Sequence, residues 1–307
     1  MDEFELIRRY FDRAEQRPDI ALGIGDDGAV ITPGPGLQQV AVIDTLVEGV
    51  HFPEGYNPAD IGYRVVAVNL SDIAAMGARP RWMTLALSLP QTDPDWLESF
   101  SEGLLAAATE FDVVLVGGDT TRAPQVVATV QVVGEIEAGR AIRRSGAMPG
   151  DTVYVTGTLG DAAAGLHGLQ AGQPVRQLVD RFARPSARVG WGRSLVGVAS
   201  AAIDVSDGFY GDLGKLLRAS GVGAEIDLAC LPLSESLAAN FAVDEQRRFA
   251  MSGGDDYELC FTASAALPDP GILRVTAVGT VTGNPEIVVR LGDEVVPYTD
   301  RGYLHFG

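Results

Sequence analysis

The chain has 307 residues, 46% of them hydrophobic, and a formal net charge of −18. That length exceeds one typical core and predicts two domains; no apolar run is long enough to span a bilayer, and the N-terminal MDEFELIRRYFDRAEQR is charged and amphipathic rather than a leader, so the expected location is cytoplasmic. So acidic a chain repels nucleic acid and anionic membrane surfaces unless cations intervene, and neither is an expected partner.

Residues 3–16 read as a helix with Phe4, Ile7, Tyr10 and Phe11 on one face. Residues 39–44 read as a strand ending at Asp44. Asn57-Pro58 is an N-cap with proline at the first helical position, opening a helix to about Met76; Asp93-Pro94 opens a second, to about Glu110, by the same device. Strands are expected over 82–89, 113–116 and 125–136, and AMPGD (147–151) is turn chemistry ahead of the strand TVYVTG. Helices near 160–170, 187–199 and 209–219 follow, with the strand AAIDV among them. The last third carries strands near 257–262, 272–281 and 286–296, with Gly292-Asp293 as a hairpin turn. The Gly-, Pro- and charge-rich stretch 137–150 marks the boundary between a domain of residues 1–138 and one of residues 139–307.

Six short acidic clusters beside glycine or serine carry the chemistry: GIGDDG (23–28), VIDT (42–45), NLSD (69–72), GGDTT (117–121), IDVSDG (203–208) and SGGDDYE (252–258). Carboxylates in tight, small-residue turns are hard oxygen ligands that a substrate approaches closely; they suit Mg²⁺, which travels with phosphate. The same residues form turns and caps whatever the function, and in a pair such as Asp26-Asp27 one carboxylate can cap while the other ligates. Ser71-Asp72 precedes Gly117-Gly118-Asp119 much as Ser206-Asp207 precedes Gly253-Gly254-Asp255. This echo suggests two related α/β halves whose carboxylates line a shared cleft; chance similarity of short motifs is the alternative.

Several decoys fall away. GIGDDG matches the dinucleotide fingerprint, but the TPGPG that follows cannot open the required helix. A P-loop fails around Lys215, the single lysine, because Phe209 and Leu216 stand at key positions. His51, His167 and His305 are too scattered for a zinc site, and Cys230 and Cys260, in apolar stretches, read as reduced core residues. With one lysine, a phosphate clamp must be arginine or backbone N–H: Arg144, with Arg122 or Arg143, is a candidate, a solvated loop being the alternative.

GIGDD, NLSDIAAMGA, GGDTTR, RSGAMPGD, VTGTLGD, DVSDG and SGGDDYEL, in that order along essentially the whole chain, resemble the thiamine-monophosphate kinase family of the aminoimidazole ribonucleotide synthetase superfamily. The resemblance implies an α/β (α+β) fold of two domains. The first is a mixed sheet with helices that binds ATP and metal and pairs across a homodimer; the second is an α/β domain completing the active-site cleft. It also implies transfer of the γ-phosphoryl group of ATP to thiamine monophosphate, giving thiamine diphosphate, with several Mg²⁺ ions. By position, Asp27, Asp44, Asp72, Asp119, Asp204 and Asp207 are implied as metal ligands. Gly118, Asp119, Arg144 and Ser206 are implied as ATP contacts, and His51, Asp255 and Tyr303 as contacts to thiamine monophosphate. The chain departs from the family pattern at Val42 and Ile43, where hydroxyl residues usually stand, and at Asp255, where glutamate is usual. A non-catalytic Mg–nucleotide-binding protein of the same fold and an ATP-dependent cyclo-ligase are the alternatives.

Overall fold

The computed structural model describes residues 3–12, 17–25, 28–300 and 302–303. They fall into two compact units, Met1–Ile73 with Ala78–Gly139 and Ala74–Gly77 with Arg140–Gly307.

In the first unit a short helix α1 (Glu3–Leu6) runs on as a π-helical turn, Ile7–Phe11, with Leu6, Tyr10 and Phe11 buried. The apolar spacing predicts a helix to residue 16; the helical turn ends at Phe11, and residues 13–16 and the side chain of Phe4 lie outside the described residues. A small hairpin of β1 (Ile20–Leu22) and β2 (Val30–Ile31) leads to β3 (Leu37–Val47), α2 (Pro58–Ala75), β4 (Arg79–Leu89), α3 (Pro94–Glu110), β5 (Val114–Arg122) and β6 (Val127–Glu137). Both capping readings hold: Asn57 Oδ1 accepts from the Ala59 N–H, and the Asp93 side chain accepts from the Asp95 and Trp96 N–H groups. The sheet order is β3-β6-β4-β5, mixed because β4 and β5 run parallel. Val130 and Val132 of β6 and Leu85 and Leu87 of β4 line its buried face, while the opposite face carries Trp82 and Val114, packed against Ile20 and Ile31 of the hairpin.

The second unit contains β7 (Thr152–Thr156), α4 (Asp161–Gln170), α5 (Arg176–Ala183), α6 (Val189–Ser194), β8 (Ala201–Asp204), α7 (Phe209–Ser220), β9 (Gly223–Asp227), α8 (Glu235–Asn240), α9 (Val243–Ser252), β10 (Leu259–Ala263), β11 (Val275–Thr282), β12 (Ile287–Leu291) and β13 (Glu294–Val295). Its seven-stranded sheet has the order β13-β12-β9-β11-β7-β10-β8. Helix α7 buries Phe209, Leu213, Leu216 and Leu217, spaced along one face, into the core that Val153, Val155, Ile203 and Ile226 supply from the strands. Gly292-Asp293 forms the hairpin between β12 and β13, so the stretch read as one strand over 286–296 is two. The helix read over 187–199 is shorter, Val189–Ser194, and α5, α8, α9 and β9 had no counterpart in the sequence reading.

Three acidic clusters are not in turns. VIDT lies inside β3, NLSD inside α2 and GGDTT inside β5. The internal echo therefore joins unlike places: Ser71-Asp72 is mid-helix, whereas Ser206-Asp207 is in the connection from β8 to α7. Among the described residues, no helix is long and apolar enough to cross a membrane.

Candidate active site

Gly118 makes the first unit's site possible. A β-bulge in the parallel β4–β5 ladder, at Val116, brings β5 so close to β4 that a Cβ on Gly118 would lie 2.0 Å from the Leu85 carbonyl oxygen. Bare backbone at 117–118, followed by the exposed Asp119, forms one wall of a cavity of about 740 Å³. Ile7, Arg8 and Phe11 of the N-terminal helix line it too, as do residues 23–25 and 28–29. Those last two stretches flank Asp26 and Asp27, so the implied ligand Asp27 lies outside the described residues while its neighbours line the same cavity as Asp119.

The sheet separates the other carboxylates of this unit. Asp44 pairs with Val130, Val130 with Leu85 and Leu85 with Gly118, which sets Asp44 three strand spacings, about 14 Å, from the Gly118 row on the opposite edge strand. Asp119 pairs with Ala86, one residue along, and so faces the other side of the sheet. Asp72 is half-buried on α2. His51 sits just past β3, where its Nδ1 accepts from the Val47 N–H at 3.0 Å. Val42 and Ile43 are in regular β3 pairing, with Ile43 exposed.

In the second unit backbone pairing brings the implied residues together. Asp204 ends β8 opposite Leu259 of β10. Beyond it the Asp255 N–H donates to the Ser206 carbonyl at 2.8 Å, and the Tyr257 N–H to the Val205 carbonyl at 2.8 Å. The Tyr303 N–H donates to the Asp207 carbonyl at 3.0 Å. Asp204, Ser206, Asp207, Asp255 and Tyr303 thus share one corner. Asp255 and Tyr257 have φ of 62° and 50°, in the left-handed region uncommon for non-glycine residues, a conformation that such surrounding hydrogen bonds enforce. Arg144 is exposed on a loop whose shape is set by Ser220: its Oγ donates to the Arg144 carbonyl and accepts from the Gly146 and Ala147 N–H groups. Arg122, at the end of β5, and Arg143 are exposed as well.

Residues the sequence reading passed over do much of the shaping. Asp212 is buried, and its Oδ2 accepts from the Ser206, Asp207 and Gly208 N–H groups at 3.0, 2.9 and 3.2 Å. Its Oδ1 takes the Lys215 ammonium at 2.7 Å, and the same ammonium meets Asp207 Oδ2 at 2.5 Å. Burial pushes the Asp212 carboxyl above its ordinary pKa despite the pull of Lys215. For Lys215 burial acts against the charge, but the bonds to Asp207 and Asp212 outweigh it and raise the ammonium's pKa. Glu258, wholly buried, accepts from Thr156 Oγ1, from Arg181 and, through two donors, from Arg188. Gly157, at φ 59°, leaves room for that carboxylate, since a Cβ there would be 2.0 Å from Oε1. Asp256 receives the Gly160 N–H, and burial drives its carboxyl pKa well up. The spacing of Asp212 and Lys215, three apart on a helix beside DVSDG, was the one signal in the sequence.

Among the described residues no three His, Cys, Asp or Glu groups already converge as a metal site. The donors on hand suit Mg²⁺ in kind, since they are carboxylate oxygens; two of the carboxylates, Asp207 and Asp212, hold the Lys215 ammonium between them.

Comparison with known proteins adds the following. Residues 25–136 match the family model "AIR synthase related protein, N-terminal domain", and residues 148–292 match "AIR synthase related protein, C-terminal domain". The thiamine-monophosphate kinase of Escherichia coli (strain K12) is 47% identical over 321 aligned residues, covering 99% of this chain and 98% of that protein. The crystal structure of the thiamine-monophosphate kinase from Stenotrophomonas maltophilia K279a superposes with a TM-score of 0.85 at 44% identity, covering 89% of this chain and 92% of that one. The structure of AaThiL complexed with AMPPCP and TMP gives a TM-score of 0.81 at 33% identity, covering 92% of each chain.

Proposed function

Since the chain belongs to the AIR synthase related proteins and, within them, to the thiamine-monophosphate kinase family, we propose that it is an ATP-dependent phosphotransferase that converts thiamine monophosphate to thiamine diphosphate. The structural observation that carries this reading is the wall of the cavity in the first unit. The glycine-only backbone at 117–118, ending in Asp119, offers close approach and a carboxylate to the same ligand, as a metal-bound polyphosphate requires. In this reading Gly118, Asp119, Arg144 and Ser206 contact ATP, and His51, Asp255 and Tyr303 contact thiamine monophosphate. Asp27, Asp44, Asp72, Asp119, Asp204 and Asp207 would hold Mg²⁺. The first unit pairs with a second copy in a cytoplasmic homodimer.

The reaction is direct in-line transfer. The acceptor is a phosphate oxygen already ionised near neutral pH, so no strong general base is needed, and positioning with charge neutralisation dominates. Bound Mg²⁺ would supply that neutralisation between two phosphate groups that repel each other. The chain's own part is orientation. Asp212 fixes the 206–208 turn through three N–H groups, and the turn in turn holds Asp255 and Tyr303 by backbone bonds. Arg144, held out on its Ser220-braced loop, presents a guanidinium fork suited to a phosphate. The Asp255 carboxylate is one methylene shorter than the usual glutamate and would need a water bridge to reach the same group of the acceptor.

The experiment is a Mg²⁺-dependent assay for thiamine diphosphate with purified protein and ATP, run beside formylglycinamidine ribonucleotide as the cyclo-ligase substrate. Thiamine diphosphate formed only with thiamine monophosphate and Mg²⁺ is the expected result. A second reading, nucleotide binding without turnover, draws on Val42, Ile43 and Asp255; it expects thermal stabilisation by Mg-ATP with no product from either acceptor.

A further inference from the structure

Lys215 is the only lysine in the chain, and its ammonium sits on the carboxylate of Asp207, one of the implied metal ligands. Its ammonium bridges two carboxylates of unequal freedom. Asp212 is the fixed end: its side chain is 1% exposed, and its second oxygen is saturated by the N–H groups of Ser206, Asp207 and Gly208. Asp207 is the more open end, 29% exposed, on a turn whose backbone is held by Asp212 and Tyr303, so its carboxylate can turn without moving the backbone. Lys215 itself is 38% exposed on α7, with a four-carbon stem long enough to leave Asp207 while keeping Asp212. A divalent ion on Asp207 and an ammonium at hydrogen-bond distance from its Oδ2 repel each other, so each weakens the other's hold on that carboxylate.

We propose that Lys215 is a tethered counter-cation for Asp207, which holds that carboxylate in the free protein and yields it, while staying on Asp212, when a divalent ion arrives with the nucleotide. The proposal rests on the reading of Asp207 as a metal ligand. It makes Lys215 and Asp212 positioning residues of the phosphoryl-transfer site: the pair keeps Asp207 in place without metal, and it weakens capture of a bare divalent ion that brings no phosphate charge of its own.

The test has two readouts besides turnover. Mn²⁺ binding to the free protein, followed by electron paramagnetic resonance, should tighten by about three- to tenfold in Lys215→Met, which keeps the stem and removes the charge. The gain should shrink when a non-hydrolysable ATP analogue is present. Protein grown with ¹³Cε-lysine has one lysine resonance, from Lys215; addition of Mg²⁺ and the analogue should move it toward the position it holds in Asp207→Asn. Equal or weaker Mn²⁺ binding in a folded Lys215→Met protein overturns the proposal, as does a lysine resonance that stays put at saturating Mg²⁺ and analogue. The second measurement uses the unaltered chain and stands even where Lys215→Met fails to fold. If Asp207→Asn leaves Mn²⁺ binding untouched, the assignment of Asp207 as a ligand is wrong and the inference goes with it. If Asp207→Asn weakens binding while both Lys215 readouts are silent, the inference alone is lost.

Discussion

Replacing Glu258 by glutamine changes one heavy atom on a wholly buried side chain, and its cost follows from the contacts. The carboxylate accepts from Thr156 Oγ1 at 2.6 Å, Arg181 at 2.7 Å, and Arg188 at 2.7 and 2.5 Å. Glutamine fills nearly the same volume, so no cavity opens; it keeps one acceptor oxygen and turns an NH₂ group toward a guanidinium that has no use for it. Removing one partner of a buried ion pair costs about 3–5 kcal/mol. Arg181 and Arg188 keep 22% and 21% of their side chains exposed, and water recovers part of their solvation, so the lower end, about 3 kcal/mol, is expected here. For a unit of this size that is a fall in Tm of roughly 6–12 °C. Scanning calorimetry on the variant and the parent measures it, with Arg188→Gln and the double variant closing a cycle. A shift below about 2 °C, or strictly additive single and double losses, would refute the view that this triad holds β10 and the turn before it.

Gly118→Ala should both destabilise and blunt the site: its methyl meets the Leu85 carbonyl at 2.0 Å, so β5 must part from β4, at a cost of about 1–3 kcal/mol, and titration calorimetry with a Mg–nucleotide analogue should give at least a tenfold loss of affinity, wild-type affinity being the contrary result. Asp19 accepts from Arg17 and Arg81, whose bonds outweigh the effect of burial and lower its pKa from 3.8 to about 2. A depressed carboxylate contributes stability above its unfolded pKa and loses it as pH falls through the folded one; about 2 kcal/mol should therefore drain away between pH 4 and 2, and urea midpoints of Asp19→Asn should lack that part of the acid slope. Parallel curves for the two proteins would count against it. Asp72→Asn should cut kcat at least a hundredfold with Tm within about 2 °C of the parent, near-normal turnover removing Asp72 from the ligand set.

What the sequence determined by itself is local or compositional. Asn57-Pro58, Asp93-Pro94 and Gly292-Asp293 announced two helix starts and a hairpin because capping and turn chemistry is complete within a few adjacent residues. The order of the acidic motifs was enough to place the chain in its family and two-domain fold. Short or polar helices escaped: α9, VDEQRRFAMS, has little apolar periodicity and is held by Phe249, Ala250 and Met251 packing into clusters drawn from elsewhere. Tertiary structure alone decided that GGDTT is a bulged edge strand rather than a turn, since the decisive neighbour is the Leu85 carbonyl, on another strand. It likewise decided that Asp44 and Asp119 belong to opposite edges of a sheet, and that Glu258, the last residue of a cluster that reads as polar, is buried against arginines 70 and 77 residues away. Strand order and the pairing of buried charges depend on which distant segments meet, and no short window of residues contains that information.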